Sequence, residues 1–307
     1  MGIGRFRSIY RTLKLLVLNK RSHGSSCIIT TGYYPVEMIM LFLLKMMGFK
    51  VFSIIYDTHI SSLAKFSRVK RFFAHWYFFS GLCCSGLLTG ILTINKKAGS
   101  EFPIAPRRIF VTRIGNLFNN NSDFKERNNN HASTTVFLFA GTFNADNGIY
   151  VLLEAISLLP KTDARFMFYG SGDGEPCIRR IAEFDARVRC FGRVADDYLD
   201  NELISADFLI CLRDPNSIST KYAFPSKLIK FMGSGTPVLA NNFPGISDAM
   251  ANCLLIIDEF SSTSVAKGIS GACGKNLSDL GASARNYVAK WHDWDIISDE
   301  MIVFLNK

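Results

Sequence analysis

The stretch Phe224-Pro-Ser-Lys-Leu-Ile-Lys-Phe-Met-Gly-Ser-Gly-Thr-Pro-Val-Leu-Ala240 decides how this chain is read. Pro225 has a fixed φ suited to the first turn of a helix, and Ser226 can satisfy free N–H groups there. Leu228, Ile229, Phe231 and Met232 then form an apolar helical face. Gly233 and Gly235 stop the helix, and Pro237 to Ala240 reads as a buried strand. The helix start carries free amides and a partial positive charge, which suits a diphosphate. An ordinary helix-to-strand connection fits the same residues equally well.

Outward from this stretch the chain alternates strand and helix. Upstream, Thr135 to Ala140, Arg165 to Tyr169, Val188 to Phe191 and Ala206 to Leu212 read as strands. Helices over Ile149 to Leu158, Pro176 to Phe184 and Tyr198 to Ile204 separate them. Downstream, Cys253 to Ile257 is a further strand. The alternation predicts a doubly wound α/β domain with a parallel sheet and a ligand at the carboxyl ends of its strands. Nearer the start, Cys27 to Thr31 and Val51 to Ile55 are β-rich runs around an apolar helix over Val36 to Met47, which predicts a second parallel sheet. Phe118 to Ser133 is rich in Asn, has no periodicity and reads as a linker or loop.

Composition bounds what the chain can do. Its 307 residues suit two domains or one large one, and 48% apolar residues supply an ample core. Eight cysteines show no metal-ligand spacing; with no signal-peptide pattern they are expected as reduced thiols in a cytoplasm. A net charge of +9 points to anionic lipid, nucleic acid or phosphorylated substrates, and no nucleic-acid-binding motif is present. Met1 to Lys20 carries Arg5, Arg7, Arg11, Lys14 and Lys20 without an acid, and Ile9, Leu13, Leu16 and Val17 recur at helical spacing. The segment suits an anionic membrane face or packing on its own domain. Phe72 to Ile94 is long and apolar enough to span a bilayer. Its glycines and the β character of Gly90 to Ile94 favour a buried helix followed by a strand.

The quoted stretch resembles the donor-site signature of retaining GT-B glycosyltransferases of family 4, the group 1 enzymes of bacterial capsule and O-antigen assembly. It carries the Pro-Ser-Lys start and the Gly-x-Pro-Val end; Lys230 stands where that signature has glutamate. Gly141-Thr-Phe-Asn-Ala-Asp-Asn-Gly148, Phe168 to Gly174, Phe191 to Val194 and Ser205 to Asp207 resemble further landmarks of the family's nucleotide domain. Tyr56-Asp-Thr-His59 resembles a first-domain turn facing the cleft. The resemblance implies two Rossmann-like domains: a shortened acceptor-side domain over 1–117, a linker over 118–133, a nucleotide-sugar domain over 134–290, and a helix over 291–307 that crosses back. The shortness of the first domain means that it is minimal or that the chain begins late.

The resemblance also implies a function. A sugar would move with retention from a nucleotide-sugar to a lipid-linked saccharide acceptor, without cofactor or metal, on the cytoplasmic face of a membrane and with no nucleic acid involved. Pro225, Ser226 and Lys227 would stabilise the leaving diphosphate, and Gly141 and Gly170 would shape the strand ends. Thr142 and Asn147 occupy the positions of two phosphate-binding cations, and both are uncharged. Arg193 and Val194 would line the base pocket. Asp57 and His59 would face the cleft as candidate catalytic groups. The family's two glutamates, eight positions apart, correspond to Tyr222 and Lys230; a lysine only donates and cannot accept from ribose hydroxyls. Lys230 would instead add positive charge near the diphosphate or face solvent, and a Lys230→Glu exchange is expected to leave the fold intact. The alternative is a catalytically impaired relative that serves as a partner in glycan assembly.

Overall fold

The structure is a computed structural model. It describes residues 27–31, 35–55, 72, 76, 79, 83, 85–100, 102–118, 134–160 and 164–306. The chain divides into two compact units, residues 1–112 with 301–307, and residues 113–300.

The first unit holds β1 (Cys27–Thr31), α1 (Pro35–Met46), β2 (Lys50–Ile55), β3 (Gly90–Thr93), α2 (Lys96–Ser100) and β4 (Ile109–Val111). The four strands pair in parallel in the order β1-β2-β3-β4. Leu41 and Leu44 of α1 are buried in one core with Val51, Ile55 and Ile91 of the sheet. Phe304, near the end of the chain, stacks on Phe110 at 5.2 Å and meets Phe52 edge-on at 5.7 Å. The end of the Phe72 to Ile94 run is strand β3, as its β character implied, but the helical residues described before it, Phe72, Trp76 and Phe79, are exposed and not buried as expected. Among the described residues no helix is long and apolar enough to cross a membrane. The basic segment Met1 to Lys20, and with it Asp57 and His59, lie outside the described residues.

The second unit follows the alternation read from sequence. Its elements are β5 (Thr135–Thr142), α3 (Ile149–Leu158), β6 (Ala164–Ser171), α4 (Glu175–Phe184), β7 (Val188–Gly192), α5 (Asp196–Ser205) and β8 (Phe208–Cys211). Then come α6 (Ile218–Tyr222), α7 (Ser226–Gly233), β9 (Val238–Asn241), α8 (Asp248–Ala251), β10 (Leu255–Ile257), α9 (Ser262–Ala272) and α10 (Ser278–Trp291). A last helix, α11 (Trp294–Asn306), ends among the residues of the first unit. All six strands are parallel, in the order β10-β9-β8-β5-β6-β7. The chain moves outward from β5 to β7, returns to β8 on the other side of β5, and moves outward again to β10. The order of strand addition therefore reverses between β5 and β8, which run parallel, and their carboxyl ends are where such a sheet takes its ligand.

Strand β5 shows why the sheet is stable. Phe137 and Phe139 belong to the core on one face, Leu138 and Ala140 to the core on the other. A central parallel strand is covered on both sides, so it reads as an unbroken apolar run. Phe137 stacks on Phe166 of β6 at 5.6 Å and on Phe208 of β8 at 5.2 Å. Each such ring contributes about 1.5–3 kcal/mol on burial. On α7 the apolar face is as expected: Leu228, Ile229, Phe231 and Met232 are all buried.

Candidate functional site

The site begins where β5 and β6 end side by side. Gly141 pairs with Gly170, and Thr142 with Ser171. Both glycines have positive φ, +132° and +139°. A Cβ on Gly170 would run into the Gly141 carbonyl, so the two backbones approach as only glycine permits. A cavity of about 250 Å³ opens beside them, lined by Gly141, Thr142, Tyr169, Gly170, Ser171, Arg193, Val194 and Leu199. Five residues singled out from the sequence, Gly141, Thr142, Gly170, Arg193 and Val194, thus share one wall.

Side-chain chemistry sets the shape of that wall. Arg193 Nε donates to Ser171 Oγ at 2.7 Å. The Tyr169 ring stacks on Phe191 at 4.7 Å, and its hydroxyl donates to Glu202 Oε2 at 2.7 Å. Burial and that carboxylate push the phenol pKa far above its ordinary value. The hydroxyl stays protonated and anchors the ring.

Helix α7 brings the cation. Pro225 is its N-cap and offers no side-chain capping bond, so the first backbone N–H groups depend on some other acceptor. The expected cap from Ser226 does not form, because Ser226 is the first helical residue and is exposed; Pro225 is buried. Lys227 reaches across β5. Its Nζ lies 4.6 Å from the centre of the Phe139 ring and 3.4 Å from where a Cβ of Gly141 would sit. A Cβ at 141 would stand in ordinary van der Waals contact with the ammonium. Nζ is buried and has no hydrogen-bond partner. Burial lowers the Lys227 pKa to about 8; Cys211 acts to raise it and the Arg213 charge lowers it further. A buried cation without an acceptor is costly, and its environment calls for an anion.

Asn147 is buried and joins two loops. Its Nδ2 donates to the Thr142 carbonyl at 2.8 Å, and its Oδ1 accepts from the Arg213 guanidinium at 2.7 Å. Arg213 was missed in the sequence reading. It lies just past β8, and Asn241 at the end of β9 holds its backbone from both sides, accepting from its N–H and donating to its carbonyl, each at 2.9 Å. A basic residue directly after a strand beside the reversal point was the available signal.

Lys230 corrects one expectation. It neither faces solvent nor adds charge near Lys227. Its Nζ pairs with the buried Asp200 of α5 at 2.7 Å, and the two side chains are 15% and 5% exposed. Glutamate at 230 would set a second carboxylate beside Asp200, so the expected tolerance of Lys230→Glu does not follow. Tyr222 ends α6 and is half-buried.

Residues 134–273 match the family described as Glycosyl transferases group 1. No curated protein matches the chain by sequence. Among solved structures, HepE from Anabaena in complex with UDP and glucose is 13% identical, with a TM-score of 0.66 over 91% of this chain and 77% of that one. Sucrose-phosphate synthase from Thermosynechococcus elongatus is 16% identical, with a TM-score of 0.63 over 96% and 77%. WaaG, a glycosyltransferase involved in lipopolysaccharide biosynthesis, is 13% identical, with a TM-score of 0.63 over 94% and 80%. At these identities the likeness is one of fold, and that fold is GT-B.

Proposed function

We propose, from the match of residues 134–273 to the group 1 glycosyl transferases, that the second unit binds a nucleotide-sugar and that the protein transfers its sugar, with retention, to a lipid-linked saccharide in cell-surface polysaccharide assembly. The observation that carries the reading is Lys227 Nζ, buried at the end of β5 with no acceptor. A diphosphate supplies the missing partner. The ammonium and the uncapped amides of α7 then stabilise the charge that develops as the sugar leaves, and no metal ion is invoked. The neighbouring cavity, with Arg193 and Val194 on its wall, receives the nucleoside. HepE holds UDP, so uridine diphosphate is the first donor type to try.

The acceptor side rests on the first unit. Phe72, Trp76 and Phe79 are helical and 70%, 67% and 55% exposed. Aromatic side chains three and four residues apart on a helix suit a bilayer interface. This favours peripheral attachment to the cytoplasmic leaflet. Cosedimentation with phosphatidylglycerol vesicles should therefore exceed that with phosphatidylcholine vesicles and fall after Trp76→Ser.

A second reading has its own support. Tyr222 and Lys230 stand where the resemblance places two glutamates, and Lys230 is bound to Asp200. A relative that binds donor without transferring it fits those facts. A thermal-shift panel of UDP-, GDP- and CMP-sugars, followed by donor-hydrolysis assays, separates the two. Stabilisation with turnover supports the enzyme; stabilisation without turnover supports the binding relative. Neither effect with any sugar nucleotide would remove both.

A further inference from the structure

We propose that Arg213 is a second diphosphate-binding cation, delivered to the donor site from the opposite side of the sheet's reversal point. The inference deepens the reading of the second unit as a donor-binding domain and rests on it. It stands on geometry. Gly141-Thr142 end β5, Arg213 follows β8, and these neighbouring strand ends flank the reversal. Asn147 spans them, donating to the Thr142 carbonyl at 2.8 Å and accepting from the Arg213 guanidinium at 2.7 Å.

The loop bearing Arg213 is also anchored against the β5 loop. The Asp214 N–H donates to the Asp146 carbonyl at 3.0 Å. The Asp146 carboxylate accepts from Ser217 and Ser219 hydroxyls at 2.7 and 2.8 Å. That carboxylate is thereby engaged by hydroxyls. Asn241 clamps the Arg213 backbone itself. Such pre-organisation exceeds what a surface arginine requires.

Charge supplies the independent argument. Arg213 lies close enough to Lys227 for its charge to disfavour the protonated ammonium, and that ammonium is buried without an acceptor. Two cations gathered beside one pair of strand ends repel each other until an anion enters between them. A guanidinium carries five N–H donors in a fork, one of which holds Asn147, and its charge is delocalised over all three nitrogens. The site thus has positive charge from two separate strands, Lys227 over β5 and Arg213 after β8, although the β5 loop itself has only Thr142 and Asn147. A diphosphate, with its two anionic groups, is the ligand class this spacing serves.

The test uses isothermal titration of the full chain with inorganic pyrophosphate and with UDP, GDP and CDP. Arg213→Gln keeps an amide donor for Asn147 but removes the charge; Arg213→Lys keeps the charge. The expected result is a loss of about tenfold or more in affinity for pyrophosphate and for the best-bound nucleoside diphosphate in Arg213→Gln. A shallower salt dependence should accompany it, with Arg213→Lys much closer to wild type. Unchanged melting temperatures verify the fold; if Arg213→Gln fails to fold, Arg213→Lys and the salt dependence decide. Full affinity in folded Arg213→Gln overturns the proposal and leaves Lys227 untouched. Equal losses in Gln and Lys variants also overturn it, because charge is then not what matters. A wild-type chain that binds none of the four probes overturns the donor-binding reading itself.

Discussion

Helix α7 treats two lysines one turn apart in opposite ways. Lys227 buries its ammonium beside the Phe139 ring of β5 and finds no acceptor. Lys230, three residues on, buries its ammonium against Asp200 of α5. The second arrangement is complete within the domain and serves the fold. The first is incomplete and serves something that binds. Type, burial and helix are shared; only the partner differs, so the partner is what separates a structural lysine from a ligand-binding one.

Removing one member of the complete pair should produce the largest effect. Lys230→Met deprives the buried Asp200 of its lysine, with an expected loss of about 3–5 kcal/mol of stability and a fall in Tm of about 10 °C. The double variant Lys230→Met with Asp200→Leu should recover most of the loss. A Tm that hardly moves in the single variant would make the pair an incidental contact and remove the contrast.

The unpaired lysine should respond in binding. Lys227→Met forfeits a charged hydrogen bond to the diphosphate, worth about 1.5–3 kcal/mol, so titration with UDP should show affinity reduced about 10- to 100-fold. Unlike Lys230→Met, this variant should hold or gain stability near neutral pH. Equal affinity in the variant would place the diphosphate elsewhere.

Lys227 should also show itself in pH response. Lys227 titrates at about 8 in the folded chain, against 10.5 as the ordinary lysine value. Between those values the unfolded chain holds a proton that the folded chain has released, so stability rises with pH across the window; below pH 8 the folded state carries the cost of the buried charge. Denaturant unfolding at pH 7.5 and pH 10 should show that rise in wild type and not in Lys227→Met. A diphosphate favours the charged form, so UDP binding should weaken above pH 8 and take up a proton there, which titration in buffers of different ionisation enthalpy measures directly.

The smallest effect is expected at the bridge. Asn147→Ala removes one neutral hydrogen bond to Thr142 and the guanidinium's anchor, for a loss of about 1 kcal/mol and a drop of under tenfold in affinity for pyrophosphate.

Strong periodicity made most of the second unit legible. Helix Ile149–Leu158 has the limits expected from sequence, because its apolar residues recur along a closed face. Helix α10 was not anticipated. Only Gly281, Ala284 and Val288 are buried along it, and two small residues and one valine make too thin a stripe to stand out. Strand β4 has three residues, below the length at which alternation becomes visible. In the site, glycines and a motif lysine were readable because their roles depend on local backbone and short spacing. Arg213 was not, since its place beside Asn147 depends on β8 lying next to β5, a pairing across some seventy positions. Lys230 misled for the same reason: Asp200 reaches it only through the packing of α5 on α7.

The Lys227 side chain occupies the space that a Cβ on Gly141 would border, 3.4 Å from Nζ and 3.5 Å from Cδ. That is ordinary van der Waals contact, so the +132° backbone of Gly141, rather than the lysine, is what bars a side chain there. Among homologues with this architecture, glycine at the first position should therefore persist whatever occupies the second, and invariance without covariation is the evolutionary trace this turn leaves.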